Sequence, residues 1–165
     1  MPDLRKVDSL TARIKELIAK AKQPALTEHL ELKAALASHI CVLLSGLIEI
    51  SVQTMCREHC SNKSEKRIAD YVSSHLGQFR NPSFERILQL LERFDPAWKE
   101  AIKIRCSSEV KTTIDSVVNN RNQISHGEQV GITLASIDAY TNSVLQFVDL
   151  LKEVVLNSNE QSKAT

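Results

Sequence analysis

A chain of 165 residues is long enough for one domain with a sizeable core. Hydrophobic residues make up 42% and charged residues 25%, and only four Gly and four Pro are present, which favours long helices over a turn-rich β fold. The formal net charge of +1 argues against a high-affinity, non-specific nucleic-acid binder and leaves room only for a local basic groove.

From Asp3 to Ala21, Leu4, Val7, Leu10, Ile14, Leu17 and Ile18 recur at helical spacing. Pro24 ends that helix, and Thr27 is placed to cap the next one. The second helix runs to about Cys60 through Leu32, Leu36, Ile40, Leu43, Leu44, Leu47, Ile50 and Met55. Its broad apolar character marks it as the central helix, with a break expected near Ser38. Its most apolar part, Ile40 to Val52, is interrupted by Ser45, Glu49 and Ser51 and reads as too short to span a bilayer. Met1 to Lys20 shows charged residues and no signal-peptide core. The expected location is therefore cytoplasmic, with no membrane partner and with Cys41, Cys56, Cys60 and Cys106 as reduced thiols.

Residues 61–64 form a polar connector, and Ser64 is expected to cap a short helix burying Ile68, Tyr71, Val72 and Leu76. Asn81-Pro82 predicts a cap and a first-turn Pro for a helix with Phe84, Ile87, Leu88, Leu91 and Phe94 inward. Asp95-Pro96 repeats the device. Ser107 or Ser108 caps the next helix, with Val110, Ile114, Val117 and Val118 inward, and it dissolves around His126-Gly127. Residues 131–133 open the last helix, which carries Leu134, Ile137, Tyr140, Val144, Phe147, Val148, Leu151 and Val155. Residues 1–156 thus read as a single helical domain and 157–165 as a polar tail predicted to be disordered.

Between the last two helices lies Asn119-Asn120-Arg121-Asn122-Gln123-Ile124-Ser125-His126-Gly127. Arg offers a planar fork of donors for phosphate oxygens, and an imidazole gives or takes a proton near neutrality. On an ideal helix Arg121 and His126 lie about 140° apart, so they converge only if the helix unwinds near Ser125. Spacing alone leaves another reading open, in which His126 satisfies the last carbonyls and Arg121 binds a core carboxylate.

Arg121-Asn122-x-x-x-His126-Gly127 resembles the motif of the HEPN superfamily, in particular its RiboL-PSP-like branch. The resemblance implies an all-α bundle of two long N-terminal helices, short intervening helices and two long C-terminal helices. It further implies a metal-independent endoribonuclease acting in defence or as a toxin. The expected partners are RNA, a second copy of the chain and an antitoxin protein. Arg121 and His126 carry over as catalytic residues shared across a homodimer, and Asn122 as their polar neighbour. Two copies are needed because one Arg and one His cannot be base, acid and phosphate stabiliser together.

Glu49 stands in the most apolar helix, where carboxylates are rare unless paired, with Gly46 allowing close helix approach and Ser45 on the same face. It either orients Arg121 or His126, as acidic residues of HEPN domains do, or lies on a narrow exposed stripe. Cys56-x-x-His59-Cys60 lacks a fourth ligand at zinc spacing, so structural thiols are expected and no metal or cofactor. The seven aromatics fall mostly at core-like positions, so no base-stacking platform is expected. The alternatives from other classes are a non-catalytic HEPN-like module binding RNA, a nucleotide or a protein, and a purely structural helical dimer.

Overall fold

A computed structural model describes residues 4–161 apart from Thr27, with side chains as far as Leu156. The described residues form α1 (Arg5–Ala21), a 3-10 turn (Pro24–Leu26), α2 (Leu30–Lys63), α3 (Lys66–Leu76), α4 (Phe84–Phe94), α5 (Pro96–Arg105), α6 (Ser108–Ser125) and α7 (Leu134–Gln161). No strand occurs among them. The expected cap at Thr27 lies outside the described residues.

The long helix α2 is the axis of the bundle, and α1, α3, α6 and α7 all lie against it. Ile40, Leu44, Leu47, Ile48 and Val52 on it are fully buried. Burying each such side chain is worth ~1.5–3 kcal/mol, so this helix anchors the core. By length and composition it is also apolar enough to cross a membrane, which corrects the expectation that its apolar stretch is too short. In this structure the other helices occupy those apolar faces.

Helix α2 runs unbroken through Ser38, where a break was expected, because the i→i−4 ladder tolerates Ser in a well-packed helix. It also continues through residues 61–63, so the polar connector shrinks to Ser64, which is the C-cap. The next cap is Glu65, with no side-chain capping bond, in place of Ser64. On α3 only Leu76 is buried, and Ile68 and Tyr71, expected inside, are exposed.

Two caps follow the sequence reading closely. Asp95 Oδ1 accepts from the Ala97 N–H at 2.9 Å, with Pro96 in the first turn of α5. Ser107 Oγ accepts from the Val110 N–H at 3.2 Å at the start of α6. The cap of α4 is Ser83, whose Oγ accepts from the Arg86 N–H at 3.3 Å. Asn81, expected there, instead adopts φ +46° in the turn before it. Helix α7 opens after Thr133, whose Oγ1 accepts from the Ser136 N–H at 3.1 Å, and its backbone stays helical to Gln161.

The close approach expected at Gly46 is not required. A Cβ built there meets only Leu10 Cδ2, at an ordinary 4.0 Å. In a helix interior Ala is favoured over Gly by about 1 kcal/mol. Gly46→Ala should therefore raise unfolding stability by roughly 0.5–1 kcal/mol in urea titrations, and a loss of stability would show hidden crowding at this crossing.

All four thiols are buried and free. Burial pushes Cys41 up to about 11 from the usual 9.0, and raises Cys56, Cys60 and Cys106 as well. The unfolded chain then loses these protons first as pH rises. Stability should be insensitive to the thiols below about pH 9 and fall between pH 9 and about 11. At pH 8 a thiol reagent should label the protein only as fast as it unfolds, and a rapidly labelled native thiol would contradict this packing.

Candidate functional site

The site begins with the end of α6. Val110, Ile114 and Val117 make its buried stripe, and Arg121 continues that stripe one turn beyond Val117. Arg121 is half-buried. Its Nη1 donates to Asn122 Oδ1 at a long 3.5 Å, and the Ser125 hydroxyl donates to its carbonyl at 2.9 Å.

The helix ends in a Schellman turn. The Glu128 N–H donates to the Gln123 carbonyl at 3.0 Å and the Gly127 N–H to the Ile124 carbonyl at 3.1 Å. Gly127 has φ +77°, a conformation that L side chains rarely adopt. His126 is the cap, at φ −88° and ψ 6°, with its N–H bonded back to the Asn122 and Gln123 carbonyls. Its ring is exposed and has no hydrogen-bond partner among the described residues.

The helix therefore does not unwind near Ser125, contrary to the condition set for convergence. Arg121 and His126 remain about 140° apart around the axis, one at the core edge and one facing solvent. No hydrogen bond joins them. Asn122, half-buried, is the only motif side chain bonded to the Arg121 guanidinium.

Glu49 is not part of this cluster. Its Oε2 accepts from the Asn81 N–H at 3.0 Å, and its Oε1 lies 3.5 Å from Gln53 Nε2. Gln53 Nε2 also donates to the Phe79 carbonyl at 2.9 Å, and Arg57 donates to Gln53 Oε1 at 3.2 Å. Glu49, Gln53 and Arg57 thus form a polar seam on α2 that clamps the turn between α3 and α4. The reason is register. Helix α6 runs antiparallel to α2, with the Cys41 thiol donating to the Val117 carbonyl at 3.6 Å. Arg121 lies four residues to one side of that crossing and Glu49 eight to the other, an axial separation of ~18 Å. Ser45, expected beside Glu49, is buried with no hydrogen-bond partner.

What does lie beside the motif is the first part of α2. Leu30, Ala34, Ser38, Ile124, Glu128 and Val130 line an open hollow of about 770 Å³. Leu30 is 77% exposed, and Leu32, expected inward, is 53% exposed. Sequence reasoning placed Leu32 in the core because the stripe continues smoothly, but α6 ends before it can cover this turn.

The Cys56, His59, Cys60 group holds no metal-like arrangement. No three His, Cys, Asp or Glu side chains cluster suitably among the described residues. His59 instead meets Trp98 edge-on, with ring centroids 4.6 Å apart.

An all-α bundle with two long N-terminal and two long C-terminal helices, and Arg121 and His126 at the end of the penultimate one, defines a HEPN-type domain. The profile of the RiboL-PSP-HEPN family matches residues 8–157. The chain belongs to that family. No curated protein matches it. No solved structure matches it either.

Two substitutions test this local account. Gly127→Ala should cost about 1–2 kcal/mol, through backbone strain alone, since nothing lies within 4 Å of an added Cβ. Glu49→Ala should cost about 1–3 kcal/mol by orphaning the Asn81 N–H, and should leave any chemistry at Arg121 and His126 unchanged. A Glu49→Ala protein of normal stability but altered chemistry would place Glu49 back in the site.

Proposed function

We propose that this protein is a metal-independent endoribonuclease working as a homodimer, of the defence or toxin–antitoxin kind. The observation that carries the reading is the intact Arg121-Asn122-x-x-x-His126-Gly127 motif, held at an open end of a RiboL-PSP-HEPN domain. Arg121 is half-buried beside Asn122, and His126 is exposed at the cap of α6.

In the proposed reaction the RNA 2′-oxygen attacks its own phosphorus, and the bond from phosphorus to the 5′-oxygen breaks. One His126 takes the 2′-hydroxyl proton, and the His126 of a second copy gives a proton to the leaving 5′-oxygen. The guanidinium groups of Arg121 neutralise the charge that builds on the phosphate. The products are a 2′,3′-cyclic phosphate and a 5′-hydroxyl. Electrons and protons balance without metal or cofactor. A single chain holds Arg121 and His126 on different sides of α6, so a two-fold pairing of the α6 ends supplies the missing convergence. Exposed Leu30 and Leu32 beside the loop give such a pairing apolar surface to bury.

RNA incubated with the protein in EDTA should yield 2′,3′-cyclic ends. His126→Ala should slow cleavage by ~10²–10⁴ and Arg121→Ala by about 10²–10³. Cleavage that requires added metal, or that survives His126→Ala at full rate, would overturn the reading. Leu30→Asp with Leu32→Asp should shift the mass measured by sedimentation toward monomer while helix content stays unchanged, and a dimer of wild-type strength would move the interface elsewhere.

A further inference from the structure

The bundle end opposite the motif has a gap between two short helices. Helix α3 packs closely only on α2, while α4 packs mainly on α5. Each is 11 residues long, ~16 Å or three turns. With the last turns of α2 they enclose an open cleft of about 680 Å³, room for several large side chains. From Ser38 beside the motif to Cys60 on the cleft wall is ~33 Å of continuous helix.

Both walls are apolar at helical spacing. Tyr71, Val72 and Leu76 line the cleft from α3, and Leu90 and Phe94 line it from α4. Ile68 lies on the same face of α3 as Tyr71 and Val72, three and four residues before them. Ile68 is 54% and Tyr71 65% exposed, although α3 is otherwise an ordinary amphipathic helix. The rings of the cleft are already engaged within the chain. Phe79 is half-buried beneath the Arg86 guanidinium, 5.5 Å from the ring centroid, and Phe94 stacks on Trp98. Tyr71 rests against His75 with centroids 4.1 Å apart. The surface on offer is therefore mainly aliphatic.

Its charge has one sign. Arg86 and Arg93 line the cleft, and no Asp or Glu does. Arg93 is exposed and makes no ion pair among the described residues. A plain hydrocarbon leaves these arginines uncompensated. The same cleft of a second copy repels them.

We propose that this cleft docks an amphipathic helix of a partner protein. Aliphatic residues at i, i+3 or i+4 and i+7 of that helix seat between α3 and α4, and carboxylates beside them pair with Arg86 and Arg93. Three turns of wall match this anchor spacing. The apolar contact supplies affinity, and the rim charges fix orientation and choice of partner. A helix seated here does not reach Arg121 or His126, so the proposal stands apart from the ribonuclease reading.

The test is fluorescence anisotropy with a labelled synthetic helix of about 18 residues, Leu at every third and fourth position and Glu beside them. The wild type should bind it about tenfold more tightly than a shuffled peptide or one with Lys for Glu. Ile68→Asp and Arg93→Glu change exposed side chains and leave the core intact. Each should raise Kd about tenfold, and Arg93→Glu should erase the preference for Glu over Lys, which a merely structural change would not do. No binding by the wild type, equal binding of the three peptides, or unchanged Kd in both variants overturns the proposal. A 2′-O-methyl oligoadenylate that displaces the peptide, and whose own binding is lost in Arg93→Glu, makes the cleft an RNA site and overturns it too. A sedimentation mass that climbs past two copies and falls back with Ile68→Asp seats a second copy there, with the same consequence.

Discussion

The antiparallel register of α2 and α6 decides what every polar residue of this molecule can reach. It is set where Cys41 meets the Val117 carbonyl, between two helices whose facing residues are fully buried. One residue of slippage would move the apolar stripes out of line by 100°, exposing several large side chains at once. From this single crossing it follows that Arg121 lies on the side of α2's N-terminal turns. It also follows that Glu49 faces the turn between α3 and α4.

The two ends of α2 consequently differ in character. At its N-terminal end α6 stops, a Schellman turn fixes His126, and Leu30 and Leu32 are left uncovered. At its C-terminal end the Glu49, Gln53 and Arg57 seam holds the turn that leads into α4. That turn holds the Phe79 ring beneath the Arg86 guanidinium, 5.5 Å from the ring centroid. Glu49 thus fixes the turn between α3 and α4 and does not touch the motif.

Much of the fold was legible in the sequence, because helical periodicity and capping are local. The stripe of α6, the Asp95-Pro96 start of α5 and the Ser107 cap depend on residues within one or two turns. The motif was legible for the same reason, since Arg121 to Gly127 is contiguous. The departures around Asn81, Tyr71, Leu32 and Glu49 are non-local. Ser83, not Asn81, caps α4, because Asn81 sits at a positive φ in a turn whose N–H is held by Glu49, far away in sequence. Tyr71 and Leu32 fit apolar stripes that no partner helix is long enough to cover. Glu49 stands open in the sequence between the motif and an exposed stripe, because the register between helices is not contained in either helix alone.

Because α6 stays helical through Ser125, Arg121 and His126 lie on different sides of the helix, and the chemistry we propose draws on a second copy. The most direct measurement is the specific rate of RNA cleavage as a function of protein concentration, taken alongside mass by sedimentation. The account predicts that the rate per chain rises in parallel with the dimer fraction and vanishes with it on dilution. A full rate per chain from a protein that is monomeric in the same solution would contradict it.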